Sequence, residues 1–372
     1  MKKNINGTGN PRRSRKVRKT GSVTIGLNLG DRTSRYCVVG SEGEVMRQGT
    51  TATTRQGMMQ IFGAMGRCRI ALEVGTHSPW VSRLLTELGH EALVANPRRL
   101  EAISASSSKD DRVDAEMLAR LARADPKLLR PIRHRGEQAQ ADLAMIRVRA
   151  ALVESRTKLI NTVRGMVKAQ GERLKGCDAD QVNEQLLADL PEAMRETLQP
   201  LVEIVKSLTA KIRESDAGIE QMARKRYPET KLLKQVSGVG TLIATTFVLT
   251  VEDKERFSRS RDVGCYVGLR PKRSESGASR PQLRITKEGD LYLRKMLVQG
   301  AHHILGYRGP DTDVRRWGLK LAERGGKNAK KRAIVAVARK LGILLHHLWV
   351  TGEVYEPLRN SERKRQQQRK AA

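Results

Sequence analysis

Four positions far apart in this 372-residue chain, Asn28, Glu73, Asp111 and Asp114, are placed to do metal-assisted chemistry. Glu73 ends the apolar run Ile70–Leu72, which reads as a buried strand, and strand ends of α/β sheets are where reacting groups collect. Asp111 and Asp114 lie three apart on a predicted helix, so one face carries both. Carboxylates drawn from two strand ends and one helix offer the hard oxygen donors that Mg²⁺ ions take. A pair of such ions activates a nucleophile and steadies a leaving oxygen in phosphoryl transfer. Asp110 with Asp114, four apart, is a competing pair, and acidic residues at a helix start also favour its dipole without further role. Asn28 is out of place, because the first strand of such a site should end in a carboxylate that bridges two ions. Asparagine offers one neutral oxygen, so metal affinity falls and catalysis fails. Either the chain is an inactivated version or its site works with one ion; the first reading is adopted.

A second constellation lies far downstream. The stretch Lys272-Arg273-Ser274-Glu275-Ser276-Gly277 is followed by Arg284 and Lys287. Ser276 beside glycine in a basic loop presents an accessible hydroxyl, and the surrounding cations suit a phosphate. Attack by serine on DNA phosphorus would give a covalent protein–DNA ester that conserves bond energy for rejoining. Ser274 is the fallback. Serines in such loops are mostly inert, so the loop alone does not carry the claim. Upstream, Ser237-Gly238-Val239-Gly240 is similar to a helix-hairpin-helix turn, where Gly238 and Gly240 would let backbone N–H groups approach a phosphate. An ordinary tight turn between packed helices explains it equally well.

The elements that must position these groups follow from hydrophobic periodicity. Strands are predicted at 23–28, Arg35–Val39, Glu44–Gly49, Ile70–Glu73 and Glu91–Ala95, with helices near Arg55–Phe62, Pro79–Leu88 and Asp110–Arg123. Three hairpin-linked strands followed by alternating helix and strand make an α/β layer, and the order βββαβαβα is that of an RNase H-like (RuvC-like) domain over 23–130. Across 131–227, Leu143, Ile146, Ala150, Val153, Ile160, Val163 and Val167, then Leu201, Ile204, Leu208, Ile212, Ile219 and Met222, recur at steps of three and four. They predict an antiparallel coiled-coil hairpin, a spacer or dimerisation arm, with Pro191 and Pro200 breaking its middle. Residues 228–350 read as a mostly helical C-terminal domain with a polar loop at Pro271–Arg284. Basic arms, 1–22 and 351–372, flank the whole.

Composition narrows the partners. Lys and Arg number 71 against 40 Asp and Glu, a net charge of +31 that calls for an anionic partner, above all a nucleic acid. Aromatics are 3%, which argues against base stacking as the main binding mode and for backbone contacts. Cys37, Cys68, Cys177 and Cys265 show no CxxC pairing, so neither a zinc site nor a disulfide framework is expected. No apolar run reaches the length of a membrane span, and the N-terminus lacks a signal-peptide core, so a cytoplasmic, nucleoid-associated protein is expected.

The run Val23-Thr24-Ile25-Gly26-Leu27-Asn28-Leu29-Gly30 resembles the opening strand of the DEDD insertion-sequence transposases of the "IS one-ten" family, where an aspartate would normally stand at position 28. Leu72-Glu73-Val74-Gly75 is similar to their glutamate motif. Lys109-Asp110-Asp111-Arg112-Val113-Asp114-Ala115 is similar to their Lys-Thr-Asp-x-x-Asp-Ala motif, apart from Asp110 in place of threonine, and so favours Asp111 with Asp114. Val236–Arg294 resembles their C-terminal domain, with Ser276-Gly277 at the position of the nucleophilic serine. The resemblance, spanning about 23–350, implies a recombinase whose metal-bound carboxylates and serine form a composite active site. It also implies dimers or tetramers, and a structured bridge RNA that pairs with donor and target DNA while the protein holds backbone and shape.

Two rivals stand beside this reading. An RNase H-like junction resolvase would use metal-activated water and would not need Ser276. A non-catalytic nucleic-acid-binding protein would account for Asn28. His302-His303 and His346-His347 lack matching ligand spacing and read as core or surface residues, and Trp317 and Trp349 as packing residues. His77 follows the glutamate motif closely enough to touch the site, but it is not taken as a site residue.

Overall fold

The computed structural model describes residues 23–96, 110–281 and 283–361. The basic arm 1–22, Lys109 of the aspartate motif and residues 362–372 of the basic tail lie outside the described residues. The chain divides into two compact units, Met1–His134 and Arg135–Ala372.

In the first unit five strands form one mixed sheet: β1 (Thr24–Asn28), β2 (Thr33–Val39), β3 (Val45–Ala52), β4 (Arg69–Glu73) and β5 (Glu91–Ala95). Their order is β3-β2-β1-β4-β5. β2 is antiparallel to both β1 and β3, while β4 is parallel to both β1 and β5. Alternation assigns the faces. Ile25, Leu27, Ile70, Leu72 and Val94 bury one face with Met58 and Phe62 of α1 (Arg55–Phe62) and Val81, Leu84 and Leu85 of α2 (Ser78–Glu87). The other face meets α3 (Asp111–Ala124) through small residues: Ala71 and Ala95 with Leu118 and Ala122, and Cys37 and Val39 with Ala115 and Ala119.

Gly26 is what lets α3 lie so close. A Cβ there would sit 1.8 Å from the Ala115 carbonyl oxygen and 2.6 Å from the Ala119 nitrogen, both backbone atoms that cannot swing aside. Gly26→Ala is therefore expected to push α3 off the sheet and cost about 3 kcal/mol. Urea unfolding measures this, and a near-neutral result would mean that α3 is not clamped to β1.

The second unit opens with two long helices, α4 (Glu137–Ala169) and α5 (Glu192–Arg226). They run antiparallel: Arg149 pairs with Asp216, Arg156 with Thr209, and Arg226 with Asp142, so partners advance along one helix as they retreat along the other. Two sequence expectations need correction. Pro200 does not break the pair but lies inside α5, while Pro191 is its N-cap residue. A mid-helix proline forfeits one hydrogen bond, about 3 kcal/mol, and burial of Leu198, Val202 and Val205 around it offsets that loss. The α5 seam is also shifted by one residue from Leu201, Ile204 and Leu208. The buried positions are Leu198, Val202, Val205, Thr209 and Ile212, and Ile204 faces out. Apolar residues occupy two adjacent stripes of this helix, and the stripe that meets Ile160, Val163 and Val167 is the buried one.

The base of the helical pair shares a core with later helices: Leu143, Ile146, Ile219 and Met222 pack with Leu249 of α7 (Thr241–Val251) and with Tyr292 and Met296 of α9 (Leu291–Leu305). Short helices α6 (Thr230–Leu233) and α8 (Val263–Tyr266), then α10 (Asp313–Ala322) and α11 (Ala329–Thr351), complete the unit. By length and composition α11 is apolar enough to cross a membrane, which the sequence reading had not expected of any segment. Its fully buried Val337, Ala338, Leu341 and Leu345 pack in the helical core of this unit.

Candidate active site

Strand parity decides which face Asn28 and Glu73 occupy. Ile25 and Leu27 belong to the α1/α2 face, so Gly26 and Asn28 face α3; by the same alternation Ala71 and Glu73 do too. Leu27 pairs with Leu72 in parallel register, so Asn28 and Glu73 follow side by side at one end of the sheet. The first turn of α3 brings Asp111 and Asp114 to that end.

The contacts agree with this placement. The Asn28 amide Nδ2 donates to Asp111 Oδ1 at 3.3 Å. Burial, and then the charge of Asp114, push the Glu73 carboxyl above its ordinary range. Asp110 is occupied elsewhere: as the N-cap of α3 its carboxylate accepts the Arg112 backbone N–H at 2.9 Å. The local geometry thus gives Asp111, rather than Asp110, to the cluster with Asn28.

These donors are all oxygens, the set a hard cation prefers. Yet the Asn28 amide turns a hydrogen, not a lone pair, toward Asp111. Among the described residues no group of three or more His, Cys, Asp or Glu side chains is gathered closely enough to hold a metal ion. The residues as they stand do not fit a pair of divalent ions.

Because the folded state holds the Glu73 proton more tightly than the unfolded chain does, ionising it costs stability as pH rises from the ordinary carboxylate range through the raised value. Glu73→Gln is expected to raise the melting temperature at pH 7 without divalent cations, with the gain disappearing below about pH 4. Melts across that range check it; a variant destabilised at pH 7 would mean that the ionised carboxylate is favourably partnered.

His77, at the start of α2, accepts the Trp80 indole N–H at 3.1 Å and lies 3.7 Å from Asp31 after β1. It therefore sits over the same sheet end, among residues to which the sequence reading assigned no role.

In the second unit Ser276 lies at the tip of an exposed arm. Ser276 and Ser279 exchange backbone hydrogen bonds around Gly277, whose φ of +55° suits the first central position of a two-residue hairpin turn. The stem is held by Lys272 N–H to Arg284 O, Thr286 N–H to Arg270 O and Lys287 N–H to Gly268 O. Lys272, Arg273, Ser274 and Arg284 are exposed along the arm, and Lys287 near its base has a φ of +57°. Two positioning residues escaped sequence reasoning. Buried Arg294 donates to Val267 O and Glu288 O, each at 2.9 Å, and so ties both ends of the arm together. Asp290 caps α9 and receives Arg147 at 2.8 Å and Arg135 at 3.4 Å. An arginine among Tyr292, Leu293, Met296 and Leu297 on a buried helix face was the available signal for the first.

The glycine turn is tightly packed. Gly238 has a φ of +80°, and a Cβ on it would lie 2.8 Å from the Gly300 carbonyl oxygen. Gly240 is the N-cap of α7 with open space around it. The Glu220 carboxylate, hydrogen-bonded to the Thr241 side chain, already sits at this helix start. Gly238 is thus accounted for by packing, whereas Gly240 stands open at a helix start. Of the other residues, His346 is buried between Ser260 Oγ (2.9 Å) and Lys254 O (3.0 Å), Trp349 meets Phe247 edge-on, and the half-exposed Trp317 lies under the Lys340 amine.

Two family models match the chain. A DEDD-type IS110 model described as "Transposase" covers residues 25–170, and one described as "Transposase IS116/IS110/IS902 family" covers 230–313. A "Probable family 20 transposase" of Pseudomonas aeruginosa is 28% identical over 311 residues, 82% of this chain and 90% of that protein. A "Transposase for insertion sequence element IS1111A" of Coxiella burnetii is 29% identical over 297 residues, 77% of this chain and 79% of that protein. The first model takes in the strand ends and helix that carry Asn28, Glu73, Asp111 and Asp114, and the second takes in the serine arm, so the chain belongs to the IS110 family of insertion-sequence transposases.

Proposed function

We propose that this chain is a DNA recombinase of the serine-nucleophile kind whose carboxylate site has been disabled by Asn28. One observation supports the reading: Asn28 donates to Asp111 and the charge of Asp114 acts on Glu73, two pairings that draw three separate segments toward one sheet end. The strand order β3-β2-β1-β4-β5, with α3 covering the site face, supports an RNase H-like reading of the first unit. In the working form, with aspartate at position 28, these groups would hold Mg²⁺, which when bound neutralises phosphate charge and lowers the pKa of a nucleophile.

The chain's own part in the chemistry is the serine. Attack of Ser276 Oγ on a DNA phosphorus forms a serine–phosphate ester and breaks the bond to the leaving strand oxygen, which takes a proton. Attack by the incoming strand's hydroxyl then returns the serine. Lys272, Arg273 and Arg284 are the cations available to the phosphate along the arm.

The finer parts of the proposal rest on the family resemblance. A bridge RNA pairs with donor and target DNA, α4 and α5 serve as a coiled-coil dimerisation arm in a homodimer or homotetramer, and the protein works at the bacterial nucleoid. The test is the appearance of a covalent adduct at Ser276 when Asn28→Asp protein, copurified RNA, labelled DNA and Mg²⁺ are combined. Persistent absence of that adduct, with DNA bound, would overturn the proposal.

A further inference from the structure

The turn between α10 and α11 carries an unspent concentration of charge. Lys320, Arg324, Lys327, Lys330 and Lys331 are all exposed, and none joins an ion pair or side-chain hydrogen bond among the described residues. Glu323 is the one acidic residue between positions 320 and 332. Some lysines elsewhere in this unit are paired instead: Lys175 with Asp189 at 2.8 Å, Lys206 with Glu184 at 3.0 Å, and Lys211 with Glu214 at 2.9 Å. The corner is also held in place. Ala329, Ala333, Val337 and Leu341 bury the inner side of α11, so the cations stand on an anchored element and need little ordering when a partner arrives.

Five like charges gathered on one corner, with neighbours within about a Debye length of roughly 8–10 Å, repel one another unless a polyanion or condensed small ions neutralise them. A nucleic-acid backbone does this with a gain in entropy, because its own counterions are released. No aromatic residue lies between Lys320 and Arg332, so the corner has no platform for unstacked bases and suits a duplex backbone.

We infer that the α10–α11 corner is a phosphate-backbone contact surface for duplex DNA. The inference rests on family membership and is independent of the serine and carboxylate readings, since it concerns binding without cleavage. It adds a second contact face to the serine arm.

The test compares full-length protein with the Lys327→Gln, Lys330→Gln, Lys331→Gln triple variant, binding a labelled DNA duplex at several salt concentrations. The slope of log K against log salt should become shallower by about 2–3, and affinity at about 0.15 M salt should fall by roughly 100-fold. A control triple, Lys175→Gln, Lys206→Gln and Lys211→Gln, changes net charge equally but should keep the parent slope. Thermal melts confirm that both variants fold; if the corner triple melts early, Lys327→Gln alone should still lower the slope by about 0.9. Unchanged duplex affinity, an equal loss in the control, or a loss seen only with RNA of the same length would each overturn the inference.

Discussion

Asn28→Asp protein is expected to cleave DNA only when a divalent cation is present, and the parent chain is expected not to cleave under the same conditions. The present amide satisfies Asp111 by donating to it at 3.3 Å, so the site holds together without an ion. An aspartate there replaces that hydrogen bond with two facing carboxylates. Unit charges about 4 Å apart repel by about 4 kcal/mol at an effective dielectric constant near 20. Glu73, already pushed up by burial and by Asp114, adds to the crowding. The variant should therefore melt earlier than the parent in EDTA and recover in millimolar Mg²⁺, while the parent's melting point ignores both. Strand cleavage should rise by at least about 100-fold over the parent, since even an outer-shell partner of a metal site is worth 10–100-fold. Equal inertness of the variant, with DNA bound and Mg²⁺ present, would remove the metal-site assignment and leave a binding protein.

Ser276→Ala in the Asn28→Asp background carries the second large effect. If the hydroxyl is the nucleophile, the protein–DNA adduct and strand exchange should both fall by about 10⁴-fold or more, the scale on which removal of a catalytic serine acts. Ser274→Ala, in the same exposed arm, should leave most of the activity. A nuclease that uses metal-activated water would behave otherwise: it would cut DNA with Ser276→Ala as well as with serine, and no adduct would form in either. Gel shift of labelled DNA under denaturing conditions separates these outcomes. Transfer of the adduct from Ser276→Ala protein to its Ser274 would make Ser274 the nucleophile and correct the residue while keeping the reaction class.

Much of this architecture was legible beforehand because it depends on local pattern. Alternation in 23–28, the apolar run before Glu73 and the three-residue spacing of Asp111 and Asp114 each report on a single element, and those elements form close to their expected bounds. The proline and seam expectations failed where two local answers were nearly equal: α5 has two adjacent apolar stripes, and Pro200 weakens a helix that its neighbours hold in place. Arg294 and Asp290 were missed because their roles lie in carbonyls and guanidinium groups up to 155 residues away.

From its sequence alone this chain determined its charge, its elements, the identity of the residues at strand and helix ends, and the asparagine where a bridging carboxylate is expected. Tertiary structure decided the rest. It placed Asn28 and Glu73 on the same face as α3, set Asp110 to capping and Asp111 to the cluster, chose the buried stripe of α5, and tied the serine arm at its base. The division has a physical cause: periodicity and capping act over a few residues and are written in composition, whereas contacts between distant segments depend on strand order and close packing, such as Gly26 against α3, which no local pattern encodes.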